Sequence, residues 1–156
     1  MTEANVKVSL HRARRAMHAY ESSHQSLEDR GEGRTRDALE RFLTCLHCSD
    51  VAGLERLLAE GVVVVSDGGG EVNALRAAVV GRDAVIRLVT RIHAQYADLT
   101  RTAPCRLNGQ PAVLVERSGV PAGHASRFTI HCDVDRSCRI ARLHFVFSPS
   151  KLRAVG

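Results

Sequence analysis

The chain has 156 residues, 44% hydrophobic and 25% charged, values typical of one folded domain with a tail. The formal net charge of +5 allows association with a polyanion, and the absence of Trp argues against a stacking platform for single-stranded nucleic acid. No apolar segment approaches the roughly 20 residues of a membrane span, and the N-terminus lacks a signal-peptide core. Five cysteines, an odd number, favour reduced thiols in a cytoplasmic protein.

Residues 1–20 are predicted to form a basic helix. Val6, Leu10, Ala13 and Met17 recur at helical spacing, so the helix has one apolar stripe. Basic side chains occupy the remaining faces, at Lys7, His11, Arg12, Arg14 and Arg15. Either a partner covers this stripe within a larger module, or the segment is a solvated terminal helix; the pattern leaves both open.

The next segment, residues 21–36, is rich in Ser, Glu, Arg and Gly and is interpreted as a linker before a domain over 37–156. Three helices are predicted in this domain. The first carries apolar residues at the spacing of an amphipathic helix, at Leu39, Phe42, Leu43 and Leu46. Asp50 is the predicted cap of the second helix and Gly61 its end, and a third helix follows Gly81.

A β-branched run, Val62–Val65, leads into Asp67-Gly68-Gly69-Gly70 and predicts a core strand with a tight glycine turn. The returning strand is expected through Val72, Ala74 and Arg76. Four further strands are predicted over 99–107, 112–116, 128–134 and 139–147, with Asn108-Gly109 as a type I′ hairpin turn. This order predicts an α+β domain whose cone-shaped, curved antiparallel sheet wraps around helices and leaves a pocket at its open end.

The same order resembles the SnoaL-like branch of the nuclear-transport-factor-2-like superfamily, and more narrowly the C-terminal extension of certain extracytoplasmic-function sigma factors. Asn5–Ala16 is similar to the recognition helix that ends sigma region 4. Asp67–Gly70 is similar to the DGGG motif of the extension, and Ser148–Leu152 stands where the family usually has Asn-Pro-Asp-Lys-Leu. The extension match covers residues 37–153, and the helix match covers the first twenty.

The resemblance implies a non-catalytic domain, without cofactor or metal, that contacts RNA polymerase core and sigma regions 2 and 4. Its regulatory contact would comprise Asp67, Gly68, Gly69, Gly70, Pro149, Lys151 and Leu152. In a whole sigma factor, Lys7, His11, Arg12, Arg14 and Arg15 would bind promoter DNA, with basic side chains against phosphates. Sigma region 2 and the first helices of region 4 have no counterpart here, so the resemblance implies a fragment or a shortened descendant.

Other interpretations remain. Asp67 and its glycines are also ordinary hairpin chemistry. His131, Asp133 and His144 could form an acid–base group in the pocket of an isomerase- or cyclase-like enzyme, although strand alternation favours an outward polar face. Such a pocket could bind a small apolar ligand, and an apolar sheet face could form a homodimer. Cys45 and Cys48, three residues apart on a helix without a second ligand pair, make a poor zinc site.

Overall fold

The computed structural model describes residues 31–96, 100–153 and 155. The chain divides into two units, Met1–Gly33 and Arg34–Gly156, and the sheet lies in the second. The predicted basic helix and its DNA-binding side chains lie outside the described residues; these are Lys7, His11, Arg12, Arg14 and Arg15. Within the described part of the chain, no helix is long and apolar enough to cross a membrane.

Three helices are described: α1 (31–47), α2 (Val51–Leu57) and α3 (Arg82–Tyr96). The Asp50 carboxylate accepts a hydrogen bond from the Gly53 N–H (2.8 Å), which confirms Asp50 as the cap of α2. Residues 31–36, expected to be linker, are helical. Thr35 is buried, and its carbonyl accepts from Cys132 Sγ (3.9 Å), so tertiary contacts hold a segment whose composition alone resembles a linker. The domain boundary itself stays a prediction.

The first strand, β1 (Leu58–Asp67), begins earlier than predicted. The backbone of Leu58 is already extended, so α2 ends at Leu57 and Gly61 lies inside the strand; assigning Gly61 as the helix end was wrong. The pairing of β1 with the last strand is irregular between Leu58 and Val63. Gly61 therefore lies in this irregular part of β1, where glycine is tolerated.

The returning strand was also predicted in the wrong place. It is β2 (Val79–Val80), which pairs with β1 through Val63 and Val64, whereas Val72, Ala74 and Arg76 lie in a loop. The three glycines consequently open a long connection rather than a tight hairpin. The Leu75 N–H donates to Ser66 Oγ (2.7 Å). A side-chain hydrogen bond therefore holds this loop against β1 in place of the backbone hydrogen bonds of a paired strand.

The remaining strands are β3 (Thr100–Leu107), β4 (Gln110–Arg117), β5 (Arg127–Val134) and β6 (Ile140–Val146). Asn108 and Gly109 both have positive φ, which confirms the predicted hairpin between β3 and β4. The six-stranded sheet has the order β2-β1-β6-β5-β4-β3. Its neighbours are antiparallel, as predicted, except β1 and β6, whose parallel pairing the sequence did not indicate. The α+β class with a curved sheet is confirmed.

Both faces of the sheet contain buried residues. One face carries Phe128, Ile130 and Leu143 towards the helices, where Phe42 of α1 is fully buried. On the other face, which was expected to be an outward polar face, Thr129 is also fully buried. The C-terminal segment lies against this second face, because the Arg127 guanidinium donates to the carbonyls of Leu152 (3.5 Å) and Val155.

Candidate functional site

The DGGG segment forms a turn directly after β1. The Gly69 N–H donates to Asp67 Oδ1 (2.9 Å), and the Glu71 N–H donates to the Gly68 carbonyl (3.0 Å). Gly69 and Gly70 have φ of +61° and +74°, a region that other residues rarely adopt. The consecutive glycines therefore direct the chain away from β1 with the Asp67 carboxylate on the outside of the turn.

The C-terminal tail returns to this turn. The Phe147 N–H donates to the Asp67 carbonyl (2.8 Å), and the Lys151 ammonium pairs with Asp67 Oδ2 at 2.5 Å. A Cβ on Gly69 would lie 2.5 Å from Ser148 Oγ, so glycine is needed here for close approach as well as for φ. We call this arrangement, Asp67–Glu71 against Ser148–Leu152, the turn–tail contact. It brings together two motifs that lie about eighty residues apart in the sequence.

Glu71 is a central residue of this contact that sequence reasoning missed. Its Oε1 accepts hydrogen bonds from Ser148 Oγ (2.6 Å) and Ser150 Oγ (2.7 Å). These serines occupy the positions of the Asn and Asp in the resembled tail motif. An Asp at position 150 would set a second carboxylate against Glu71, whereas a serine donates to it. The departure in the tail, where two hydroxyls replace the Asn and Asp of the resembled motif, was the available signal.

The turn–tail contact is a charge-assisted network on the surface. Hydrogen bonds from Lys151 and from the Gly69 N–H lower the pKa of Asp67. Hydrogen bonds from Ser148 and Ser150 lower the pKa of Glu71. The side chains of Asp67 and Lys151 remain 45% and 57% exposed, so the ion pair by itself stabilises little. Of the tail residues, Ser148 and Leu152 are buried and Pro149 is exposed, so the tail is anchored while its outer surface stays accessible.

A second candidate site is a cavity between α1, α3 and the concave face of the sheet. It has two lobes of about 360 Å³ and 310 Å³. Both lobes share the same central wall, formed by Val89, Ile92, Arg117, Phe128 and Phe145. His47 and His93 line the first lobe, and the loop residues 73–75 line the second. The described lining residues include no Asp or Glu.

His131, Asp133 and His144 do come together, but away from this cavity. The two imidazole rings are stacked with their centroids 4.3 Å apart, and His144 Nε2 lies 3.0 Å from Asp133 Oδ2. Along β5, His131 and Asp133 alternate with Phe128 and Ile130, which line the cavity, and His144 of β6 is the register partner of His131. The trio therefore occupies the opposite face and lines neither lobe. Burial and the neighbouring His144 lower the pKa of His131. The three residues therefore form a polar cluster outside the cavity, and it is the cavity that an isomerase- or cyclase-like enzyme would use.

The cysteines offer no ligand set. Cys45 is half-buried near the end of α1, and burial raises the pKa of its thiol. Cys48 is exposed beyond the helix, and all five cysteines are free thiols. Across the residues that the structure describes, no group of three or more His, Cys, Asp or Glu side chains could hold a metal ion.

By sequence, the chain matches no protein-family model and no curated protein at a significant level. Solved structures do match. The extracytoplasmic function sigma factor SigJ of Mycobacterium tuberculosis matches with a TM-score of 0.64 at 19% identity, over 97% of this chain and 51% of SigJ. A proposed polyketide cyclase of Sinorhizobium meliloti matches with a TM-score of 0.52 at 21% identity, over 70% of this chain and 93% of its own.

A proposed isomerase of the SnoaL-like family from Agrobacterium tumefaciens matches with a TM-score of 0.50 at 8% identity, over 74% of this chain and 98% of its own. The chain has the SnoaL-like fold. It spans about half the length of SigJ. Since these neighbours include a sigma factor as well as a proposed cyclase and isomerase, the fold alone does not assign a function.

Proposed function

We propose that this chain is the regulatory domain of an extracytoplasmic-function sigma factor and acts in the cytoplasm. Its turn–tail contact would bind sigma regions 2 and 4 and thereby modulate their engagement with RNA polymerase core. The observation that carries the proposal is the Asp67–Lys151 pair, because it joins the two motifs of the resembled sigma-factor extension on one surface. The sheet brings the tail to the turn, since Val146 of β6 pairs with Asp67 of β1, and Lys151 then pairs with the Asp67 carboxylate from 84 residues away.

The extent of the structural match supports this proposal over an enzymatic one. SigJ matches over 97% of the chain, whereas the proposed cyclase and isomerase match over 70% and 74%. Under the proposal, Lys7, His11, Arg12, Arg14 and Arg15 contact promoter phosphates within the whole sigma factor. The described lining of the cavity provides no carboxylate base for isomerase-like chemistry, and its histidines are His47 and His93 of the first lobe and His124 of the second.

The exposed part of the turn–tail contact suits a polar protein surface. Gly69, Gly70 and Pro149 are exposed, and Asp67 and Lys151 present opposite charges beside one another. Such a patch gives orientation and specificity rather than large affinity. This is expected for an interface from which sigma regions 2 and 4 must also dissociate. The anchored tail means that the surface exists before the partner arrives.

Binding of the full chain to separately expressed sigma regions 2 and 4 tests the proposal. Ser150→Asp places a second carboxylate against Glu71 and should release the tail. Ser150→Asn introduces a side chain of the same size as Asp but keeps a neutral hydrogen-bond donor. We expect Ser150→Asp to weaken binding about tenfold, an estimate based on typical charge-pair energies, and Ser150→Asn to weaken it much less. Gln110→Glu adds one negative charge at an exposed position beside the β3–β4 turn, just as Ser150→Asp adds one in the tail, and serves as the charge control.

Three results would contradict the proposal. The first is an absence of binding to either sigma region and to core polymerase. The second is equal binding by the Ser150→Asp and Ser150→Asn variants. The third is a loss of binding in Gln110→Glu that is as large as the loss in Ser150→Asp, since this would assign the effect to net charge rather than to the turn–tail contact.

A further inference from the structure

Arg117, at the end of β4, lies where the two lobes of the cavity meet. Its guanidinium carbon is 4.7 Å from the ring centroid of Tyr96 and 4.7 Å from that of Phe128. The rings provide favourable cation–π contact with the guanidinium. A guanidinium has five N–H donors in its plane. A carboxylate can accept hydrogen bonds from these donors, whereas the stacked rings do not.

The guanidinium has no carboxylate partner among the described residues, and its buried Nε has no hydrogen-bond acceptor there. Burial lowers the pKa of Arg117, which reflects the cost of holding a cation away from water. The neighbouring strand presents a contrast. The Nε of Arg127 also has no hydrogen-bond acceptor among the residues that the structure describes, but it forms an ion pair with Glu116 at 3.5 Å, and the guanidinium donates to carbonyls of the C-terminal tail. Within the described part of the chain, the fold thus supplies an acidic partner for Arg127 and none for Arg117.

The surroundings of Arg117 define the chemistry of a ligand. The walls common to both lobes are aliphatic and aromatic, and the described lining contains no acidic side chain that would repel an anion. A half-buried cation without a counter-ion bears part of the cost of leaving water, and an incoming carboxylate would offset that cost with a bidentate pair. Lobes of this size fall in the range of small-molecule pockets.

The geometry points to a binding site for a small apolar carboxylate, with its hydrocarbon part in the lobes and its carboxylate on the Arg117 guanidinium. The expected ligand is an aromatic or aliphatic carboxylic acid. This inference does not depend on the sigma-factor proposal. The second lobe is lined by Asn73, Ala74 and Leu75, the loop that follows Glu71. A ligand there would contact the same loop that leaves the turn–tail contact.

His93 provides a local reporter. Burial lowers its pKa, and the positive charges of His47 and Arg117 lower it further. An anion bound on Arg117 would offset that charge, so the pKa of His93 should rise when the ligand binds. A neutral ligand in the same lobe would give no such rise. This distinguishes pairing with Arg117 from mere filling of an apolar cavity.

Calorimetric titration of the full chain with 2-naphthoate and with 2-naphthamide is the test. The two probes share a ring system and differ in charge. We expect saturable binding of 2-naphthoate, with the amide about tenfold weaker or more, the difference expected for a hydrogen-bonded charge pair. Arg117→Met keeps an unbranched apolar stem and should remove the preference, whereas Arg117→Lys keeps the charge and should retain part of it.

Arg101→Met is the matched control. Arg101 is an exposed arginine on β3, flanked by the cavity residues Thr100 and Thr102, and therefore directed to the opposite face. It should leave the preference for 2-naphthoate unchanged. A histidine titration by NMR should show the His93 pKa rising with 2-naphthoate alone.

Equal affinity for acid and amide, or an unchanged preference in Arg117→Met, would overturn the proposal. Failure of both 2-naphthoate and decanoate to bind the wild-type chain would overturn it as well. If Arg117→Met does not fold, the comparison of the acid and the amide on the wild-type chain decides the matter.

Discussion

Gly69 shows how a single residue can be fixed by two independent requirements. Its φ of +61° favours glycine, and a Cβ at this position would collide with Ser148 of the tail. Gly70 has a similar φ of +74°, but no atom lies within 4 Å of the position a Cβ would take. Comparing the two glycines therefore distinguishes the requirement for a positive φ, which both meet, from the requirement for close approach of the tail, which applies to Gly69.

We predict that Gly69→Ala destabilises the chain more than Gly70→Ala. Both substitutions incur a backbone cost of about 1–2 kcal/mol for a left-handed Ala, and only the first also displaces Ser148. Thermal melting should rank wild type above Gly70→Ala and Gly70→Ala above Gly69→Ala. Trypsin cleavage after Lys151 should accelerate most in Gly69→Ala, because its tail is released. Equal cleavage rates in the two variants would contradict the role given to Ser148.

Glu71 makes the turn–tail contact sensitive to acid. The ordinary pKa values of Asp67 and Glu71 are 3.8 and 4.5, and both are lowered in the folded chain. A lowered folded-state pKa means that the stabilisation is complete above the ordinary value and is lost as the pH falls through the lowered one. The contact is thus intact at neutral pH and weakens below about pH 4.

Glu71→Gln should therefore reduce the melting temperature at pH 7 and differ progressively less from wild type as the pH falls towards 3. Melting curves of both proteins across this range measure the effect. Glu55→Gln is the control, since Glu55 is exposed on α2 and the structure gives it no side-chain hydrogen bond. A difference between wild type and Glu71→Gln that grows on acidification would contradict the network.

At the scale of elements, the parallel pair of β1 and β6 holds the sheet together. β6 is hydrogen-bonded to β1 on one side and to β5 on the other, which places Leu143 between Val64 and Cys132. Leu143 is fully buried. The C-terminal end of β6 leads straight into Ser148, so the same strand that closes the sheet delivers the tail to the turn.

Leu143→Ala should cost about 2–5 kcal/mol of unfolding free energy, the range for a large-to-small change in a tightly packed core. Arg142→Ala, at the adjacent exposed position, should change the unfolding free energy by less than about 0.5 kcal/mol. Urea unfolding of both variants measures this. A loss below about 1 kcal/mol in Leu143→Ala would mean that β6 is not the central strand that the topology makes it.

Local patterns predicted the elements that local forces determine. The periodicity of α3 and the Asn108-Gly109 turn both appear as predicted, because each depends on neighbouring residues. The parallel partner of β1 lies more than seventy residues further along the chain, and no local pattern encodes it. The displacement of β2 to Val79–Val80 has the same origin, since its place is set by pairing with Val63 and Val64.

The candidate sites divide in the same way. The family resemblance pointed to Asp67 and Lys151, which do form a pair. Glu71 was missed because its partner Ser148 lies 77 residues away, and Arg117 was missed because the absence of a counter-charge is a property of the folded state alone. What distinguishes Glu71 and Arg117 from other residues of the same type is the set of partners that the folded chain gives them, and the sequence does not show that set.

For the molecule as a whole, the surface contact and the interior cavity are joined by one loop. Residues 73–75 line the second lobe, and Glu71 precedes them in the turn. The Asn73 N–H donates to the Gly123 carbonyl (2.7 Å), which ties the loop to the connection before β5. The proposed regulatory surface and the proposed ligand site are therefore adjacent along one loop of the backbone.

Hydrogen–deuterium exchange of the full chain, alone and with sigma regions 2 and 4, is the most direct test of the turn–tail contact as the regulatory surface. The account predicts slower exchange on binding in residues 66–72 and 147–152, and a loss of this protection in Ser150→Asp but not in Ser150→Asn. Binding with protection confined to other parts of the chain, or no change at these two segments, would contradict it.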